Sequence, residues 1–110
     1  MPEAPADYLQ GTLDLLILKT LGLGPNHGWA VAKQIQAISN DTLQVNQGSL
    51  YPALQRLELK GLIKSEWQRT EENRRAKYYR LTPLGEGRLE KESLQWRRFA
   101  GAVELVLQQG

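Results

Sequence analysis

The chain has 110 residues, 41% hydrophobic and 24% charged, with a formal net charge of +2, no cysteine and one histidine, His27. This is the size of one domain and the composition of an ordinary globular protein. It excludes a two-domain enzyme, a large barrel, disulfides, thiolate metal sites, cysteine catalysis and any histidine-rich or paired-histidine centre, so neither metal nor cofactor is expected.

Met1 to Tyr8 carries acids and prolines where a signal peptide would have a basic start and an apolar run, so residues 1–8 are expected to form a flexible N-terminus. No run of 18 apolar residues follows, so no membrane partner is expected and the expected setting is the cytoplasm. Leu13 to Leu23 reads as a first helix, with Leu13, Leu15, Leu16, Ile17, Leu18 and Leu21 apolar nearly all round. A helix greasy on two sides needs cover on two sides, which in so short a chain hints at a partner subunit. Gly22, Gly24 and Pro25 end it.

Residues 28–39 read as a second helix, with Val31, Ala32, Ile35 and Ile38 on one face. His27 stands at its start, as a cap or surface group. Ser39, Asn40 and Asp41 form a turn, and Thr42 to Val45 is compatible with a short extended segment. A third helix runs from about residue 48 to Lys60, with Leu50, Leu54 and Leu57 inward and Gly61 as its stop. An N-cap at Ser49 sets Pro52 in the first turn, where proline is tolerated; an N-cap at Asn46 sets it inside the helix, so the later start is preferred.

Ile63 to Arg69 alternates as a strand, Thr70 to Arg75 is a polar turn, and Lys77 to Leu81 is a second strand with Tyr79 and Leu81 inward. The two are expected to pair as an antiparallel hairpin. Thr82 then caps a helix with Pro83 at its first position, continuing to about Leu107. Along it Leu89, Trp96 and Val103 recur every seven residues, as do Phe99 and Val106, which is a helix-packing seam that Glu92 interrupts.

The order helix, helix, helix, hairpin, long helix describes a mainly α fold with a small β-hairpin: a winged helix-turn-helix over 9–81 and a C-terminal dimerisation helix over 82–110. Charge follows that division. Residues 44–81 hold eight basic side chains against four acidic ones, a net of +4, while residues 1–43 carry −2 and 82–110 balance. A basic patch is the footprint of a nucleic-acid binder, and equally the composition of a solvated face. The architecture separates these readings, because the basic residues fall on the helix and hairpin that such a fold presents to double-stranded DNA. The candidate DNA-contacting residues are Gln47, Ser49, Tyr51, Gln55 and Arg56 on the third helix, and Arg69, Arg74, Arg75 and Lys77 on the wing. Gln55 can pair with adenine through two hydrogen bonds, and Arg56 with guanine or a phosphate.

At this point the residues also resemble a family. The run from Gln47 to Ile63, Gln-Gly-Ser-Leu-Tyr-Pro-Ala-Leu-Gln-Arg-Leu-Glu-Leu-Lys-Gly-Leu-Ile, is similar to the recognition-helix signature of the PadR-like transcriptional regulators. So are the run from Arg75 to Gly85, Arg-Ala-Lys-Tyr-Tyr-Arg-Leu-Thr-Pro-Leu-Gly, the opening Gly11-Thr12-Leu13-Asp14-Leu15-Leu16-Ile17-Leu18, and His27-Gly28-Trp29. The resemblance covers roughly residues 9–107 and points to the short branch with a single C-terminal helix. Ala76 stands where many relatives have a basic residue. The resemblance implies a homodimeric repressor on an inverted-repeat operator; the seam of the last helix and the two-sided first helix make Leu16, Leu89, Trp96, Phe99, Val103 and Val106 the expected dimer-interface residues. It also implies a small aromatic or planar hydrophobic effector between the C-terminal helices, for which Trp96 is the candidate; ordinary packing is the competing reading of Trp96.

Other site types fare worse. The glycines from Gly22 to Gly28 lack the Lys-Ser or Lys-Thr of a phosphate loop and a preceding strand. Glu71 and Glu72 have no second acid pair, and no nucleophile–base pair is present, so an enzyme is not expected. The rival class is a winged-helix protein-interaction module without DNA binding.

Overall fold

The computed structural model of the chain describes residues 6–110, and side chains from Gly11 onward. Residues 1–5 of the expected flexible stretch lie outside the described residues, while residues 6–8 already belong to helix α1 (Ala6–Leu23). Strand β1 (Asn26–His27) leads into α2 (Gly28–Ile38), then come α3 (Gln47–Leu59), the hairpin β2 (Ile63–Arg69) and β3 (Arg75–Leu81), and α4 (Pro83–Leu107).

Helix α1 is the centre of the molecule. Ile17, Leu18 and Leu21 are buried, and α2, α3 and α4 all pack on it. Much of the two-sided cover its sequence demands therefore comes from its own chain. Thr20, buried among these leucines, satisfies its hydroxyl by donating to the Leu16 carbonyl at 2.7 Å, the local bond such a residue makes inside a helix. Val31, Ala32 and Ile35 of α2 and Leu50, Ala53, Leu54 and Leu57 of α3 close the core from the other side. Ile38, expected on the inner face of α2, is exposed. The helix ends there, and the chain turns away through Asn40 and Asp41, both in the left-handed region, which these residue types visit more readily than most.

Helix α3 starts earlier than expected. Asn46, not Ser49, is the N-cap: its side-chain oxygen accepts from the Ser49 N–H at 2.9 Å. Pro52 therefore lies inside the helix. The lost hydrogen bond falls on the carbonyl of Gly48, an exposed residue that water can serve. The segment before it, Thr42 to Val45, forms no strand.

The sheet has one strand more than expected. Its order is β1-β3-β2. The hairpin pairs Ile63 with Leu81 through to Arg69 with Arg75, and β1 adds Asn26 beside Tyr79 and His27 beside Tyr78. His27 caps α2 as expected, its Nδ1 accepting from the Ala30 N–H at 3.4 Å. Ile63 and Tyr79 reach the core. Together α2, α3 and the β2–β3 wing form a winged helix-turn-helix.

The junction of α3, the sheet and α4 is tightly bonded. The Thr82 hydroxyl donates to the Gly61 carbonyl at 2.7 Å, with the Leu62 carbonyl 3.0 Å away, and accepts from the Gly85 N–H at 3.0 Å. The Thr82 N–H donates to the Leu62 carbonyl at 3.1 Å. Gly85 sits so close that a Cβ there would collide with the Leu62 carbonyl oxygen. From this anchor α4 runs out past the body, giving the molecule a long axis of 58 Å.

Two glycine substitutions on the same helix should therefore diverge. Gly85→Ala should lower stability by about 1–3 kcal/mol or more, the range for overpacking a filled site. Gly87→Ala, where a Cβ meets nothing within 4 Å, should raise it by about 0.5–1 kcal/mol. Thermal unfolding of the two variants checks both signs.

Candidate nucleic-acid interface

Helix α3 turns Leu50, Leu54 and Leu57 inward and leaves Gln47, Tyr51 and Gln55 exposed, one above another at four-residue spacing, with exposed Leu59 continuing the row and exposed Ser49 off to the side. Gln47, Tyr51 and Gln55 are thus brought together on one free face, whereas Ser49, two residues from both Gln47 and Tyr51, is exposed but lies off it. Tyr51 lies against the start of α2, where a Cβ on Gly28 would come within 3.0 Å of its ring. Gly28 is what allows that approach.

Arg56 departs from expectation. It does not project with the others. Its Nη2 donates to Asp14 Oδ1 of α1 at 2.8 Å, with the two side chains 31% and 15% exposed. One residue on from Gln55 and so about 100° round the helix, Arg56 meets α1, where the partly buried carboxylate of Asp14 receives it. Lys77 is also partly engaged. Its Nζ is 3.7 Å from Glu58 Oε1 and lies over the Tyr79 ring. Glu58 Oε2 accepts from the Ser65 hydroxyl as well, so α3 is tied to both wing strands at their base. Burial first, then the Glu58 charge and Tyr51, raises the Tyr79 phenol above its ordinary pKa, which keeps it neutral in this setting.

The wing tip differs. Arg69, Arg74 and Arg75 are exposed, and among the described residues none has an acidic partner, although Glu71 and Glu72 occupy the same turn. The turn closes through a Thr70 N–H to Arg74 carbonyl bond at 2.7 Å, with Asn73 left-handed at φ 61°. Arg69 donates to Asn73 Oδ1 at 2.8 Å, and the Arg75 guanidinium lies over the Trp67 ring, 4.9 Å from its centroid. Asp14, Glu58, Trp67 and Asn73 were not legible as site residues. The pairing of Arg75 with Trp67 depends on the hairpin register, and that of Arg56 with Asp14 on a contact 42 positions apart.

On the far side, Leu16 and Leu89 pack partly against the chain's own core. Trp96, Phe99, Val103 and Val106 are exposed. A groove of about 870 Å³ runs between α1 and α4, lined by Leu15, Leu16, Leu89, Leu94 and Trp96 among others. The Trp96 and Phe99 rings lie beside it, 6.0 Å apart and tilted at 43°.

The profile of the transcriptional regulator PadR-like family matches residues 17–91. The chain belongs to this family. It is accordingly a DNA-binding transcriptional regulator. A PadR family transcriptional regulator from Eggerthella lenta is 32% identical, with a TM-score of 0.76 over 94% of this chain and 88% of that one. A transcriptional regulator from Clostridium thermocellum is 30% identical, with a TM-score of 0.80 over 90% and 96%. A transcriptional regulator of Mycobacterium tuberculosis is 42% identical over 57 residues, 52% of each chain. No described helix of this PadR-like chain is long and apolar enough to cross a membrane.

The Asp14–Arg56 pair should be coupled in stability. In a double-mutant cycle with Asp14→Ala and Arg56→Ala, urea unfolding should return a coupling of about 1 kcal/mol, between the values for exposed pairs and for buried charged hydrogen bonds.

Proposed function

We propose that this regulator is a homodimeric repressor that reads a palindromic operator in the cytoplasm through α3 and grips the backbone with its wings. The free row of Gln47, Tyr51 and Gln55, flanked by arginines without acidic partners, carries this reading. Gln47, Ser49, Tyr51 and Gln55 face the major groove, with Gln55 suited to adenine. Arg69, Arg74 and Arg75 meet phosphates. Arg56 and Lys77 serve mainly to hold α3 to α1 and to the wing.

The unit over 9–81 binds DNA, and the helix over 82–110 dimerises. Trp96, Phe99, Val103 and Val106 extend an apolar row along the part of α4 that leaves the body, and Leu16 and Leu89 continue it inward. Burying such side chains against a second copy contributes roughly 1.5–3 kcal/mol each when burial is complete. Two-fold symmetry then sets the two α3 helices about 34 Å apart or a multiple of that. The groove beside Trp96 falls within the usual size range for small-ligand sites, and its apolar lining suits a planar aromatic effector that releases the operator.

Replacing both Arg74 and Arg75 by alanine should weaken binding to all duplexes alike and lower the slope of log affinity against log salt by about one per arginine. Gln55→Ala should instead relax preference at individual base pairs, by about 1–3 kcal/mol per good contact. Site selection from random duplexes and a salt series test both; an unchanged salt slope removes the wing from the interface.

Val103→Glu should yield a monomer by light scattering and lose tight operator binding, while thermal unfolding shows the body still folded. A wild-type monomer at micromolar concentration that binds its operator tightly overturns the dimer.

A further inference from the structure

The wing tip holds an arrangement that net charge alone does not explain. Arg69 and Arg75 are direct cross-strand partners, and like charges set opposite one another destabilise a sheet. Neither guanidinium is left to swing away. Arg69 is held by Asn73 Oδ1 at 2.8 Å and Arg75 lies over the Trp67 ring at 4.9 Å. Both holding residues are themselves out of the ordinary. Trp67 is 59% exposed, so most of a large apolar ring lies uncovered except where Arg75 lies over it. Asn73 sits at φ 61°, a conformation asparagine tolerates better than most side chains.

We propose that Trp67 and Asn73 hold Arg75 and Arg69 as a two-guanidinium clamp for a backbone phosphate of duplex DNA, an inference that rests on the DNA-binding reading above. A guanidinium carries five N–H donors in a planar fork. The cation–π contact with Trp67 holds the Arg75 guanidinium without occupying an oxygen or nitrogen acceptor. The bond to Asn73 takes one donor from Arg69 and leaves the others. Two opposed forks with unspent donors match the oxygens of one phosphate, which accepts from both and neutralises the repulsion between them. Because the side chains are ordered beforehand, less rotamer freedom is lost on binding. Trp67 and Asn73 are thus positioning residues for the DNA contact.

The test follows anisotropy of a labelled mixed-sequence duplex over a salt series. Trp67→Ala should weaken binding roughly three- to tenfold and lower the salt slope as Arg75→Ala does, with Trp67→Phe recovering part of the loss. Combining Trp67→Ala with Arg75→Ala should weaken binding no further than Arg75→Ala alone. Asn73→Gly keeps the left-handed turn but removes the hold on Arg69, and should be non-additive with Arg69→Ala in the same way. Trp67→Thr, a good strand former, serves as the second non-stacking variant in case Trp67→Ala does not fold, which circular dichroism reports. Wild-type affinity in the folded Trp67 or Asn73 variants, or additive losses in the doubles, overturns the clamp while the DNA-binding reading stands. Absence of salt-dependent duplex binding by the wild type overturns both.

Discussion

The Leu62 carbonyl is the point on which the architecture turns. It accepts from the Thr82 N–H, lies within reach of the Thr82 hydroxyl, and leaves no room for a side chain at Gly85. Leu62 links the end of α3 to the start of β2, and Thr82 links the end of β3 to the start of α4. Four elements therefore meet in one hydrogen-bonded knot of short reach. Closely packed interiors do not deform continuously, so α3, the wing and the base of α4 share one orientation. Thr82 does double service: it caps α4 through the Gly85 N–H and fastens that cap to the residues that end α3.

A second set of ties fixes the recognition helix from its sides. Asp14 takes Arg56 towards α1, and Glu58 takes Ser65 and Lys77 towards the wing. On α3 the side chains spent on these ties are charged: Arg56, to one side of the free row, and Glu58, at its C-terminal end beside the wing. What remains exposed on α3 is uncharged: the polar Gln47, Ser49, Tyr51 and Gln55, with Gly48, Pro52 and Leu59. The wing tip carries three exposed arginines, Arg69, Arg74 and Arg75, that have no acidic partner among the described residues.

Most of the fold was legible because its signals are strong and local. Thr82-Pro83 announces a helix start, Gly61 an end, and the alternation from Ile63 sets a strand. The misreadings have physical causes. At α3, proline's preference for the first turn argued for a start at Ser49, and the Asn46 cap outweighed it because the carbonyl that loses its partner belongs to exposed Gly48. Strand β1, at two residues, is too short to show a period, and only its pairing with β3 makes it a strand. The tie from Arg56 to Asp14 was not legible, because helical geometry tells which face a residue occupies but not that Asp14, in a distant part of the sequence, stands beside that face. The wing arginines were legible as charge; their holders Trp67 and Asn73 became visible only with the register of the hairpin.

The wing also shows why local stability and function pull apart in this chain. A hairpin selected for stability alone would set an acid opposite Arg69, or bury Trp67, and Glu71 and Glu72 are close at hand in sequence. Instead the acids occupy the turn without pairing, and two guanidiniums face each other across the strands. Such departures from local consistency concentrate where a surface has work to do. The body can tolerate the weakness because the wing is anchored at its base, through Ile63, Tyr79 and the Glu58 ties, and its tip adds little to the core. The tip is therefore free to hold charge in an order that suits an anion, and the repulsion it carries when unbound becomes a gain in differential affinity once a phosphate lies between the two groups.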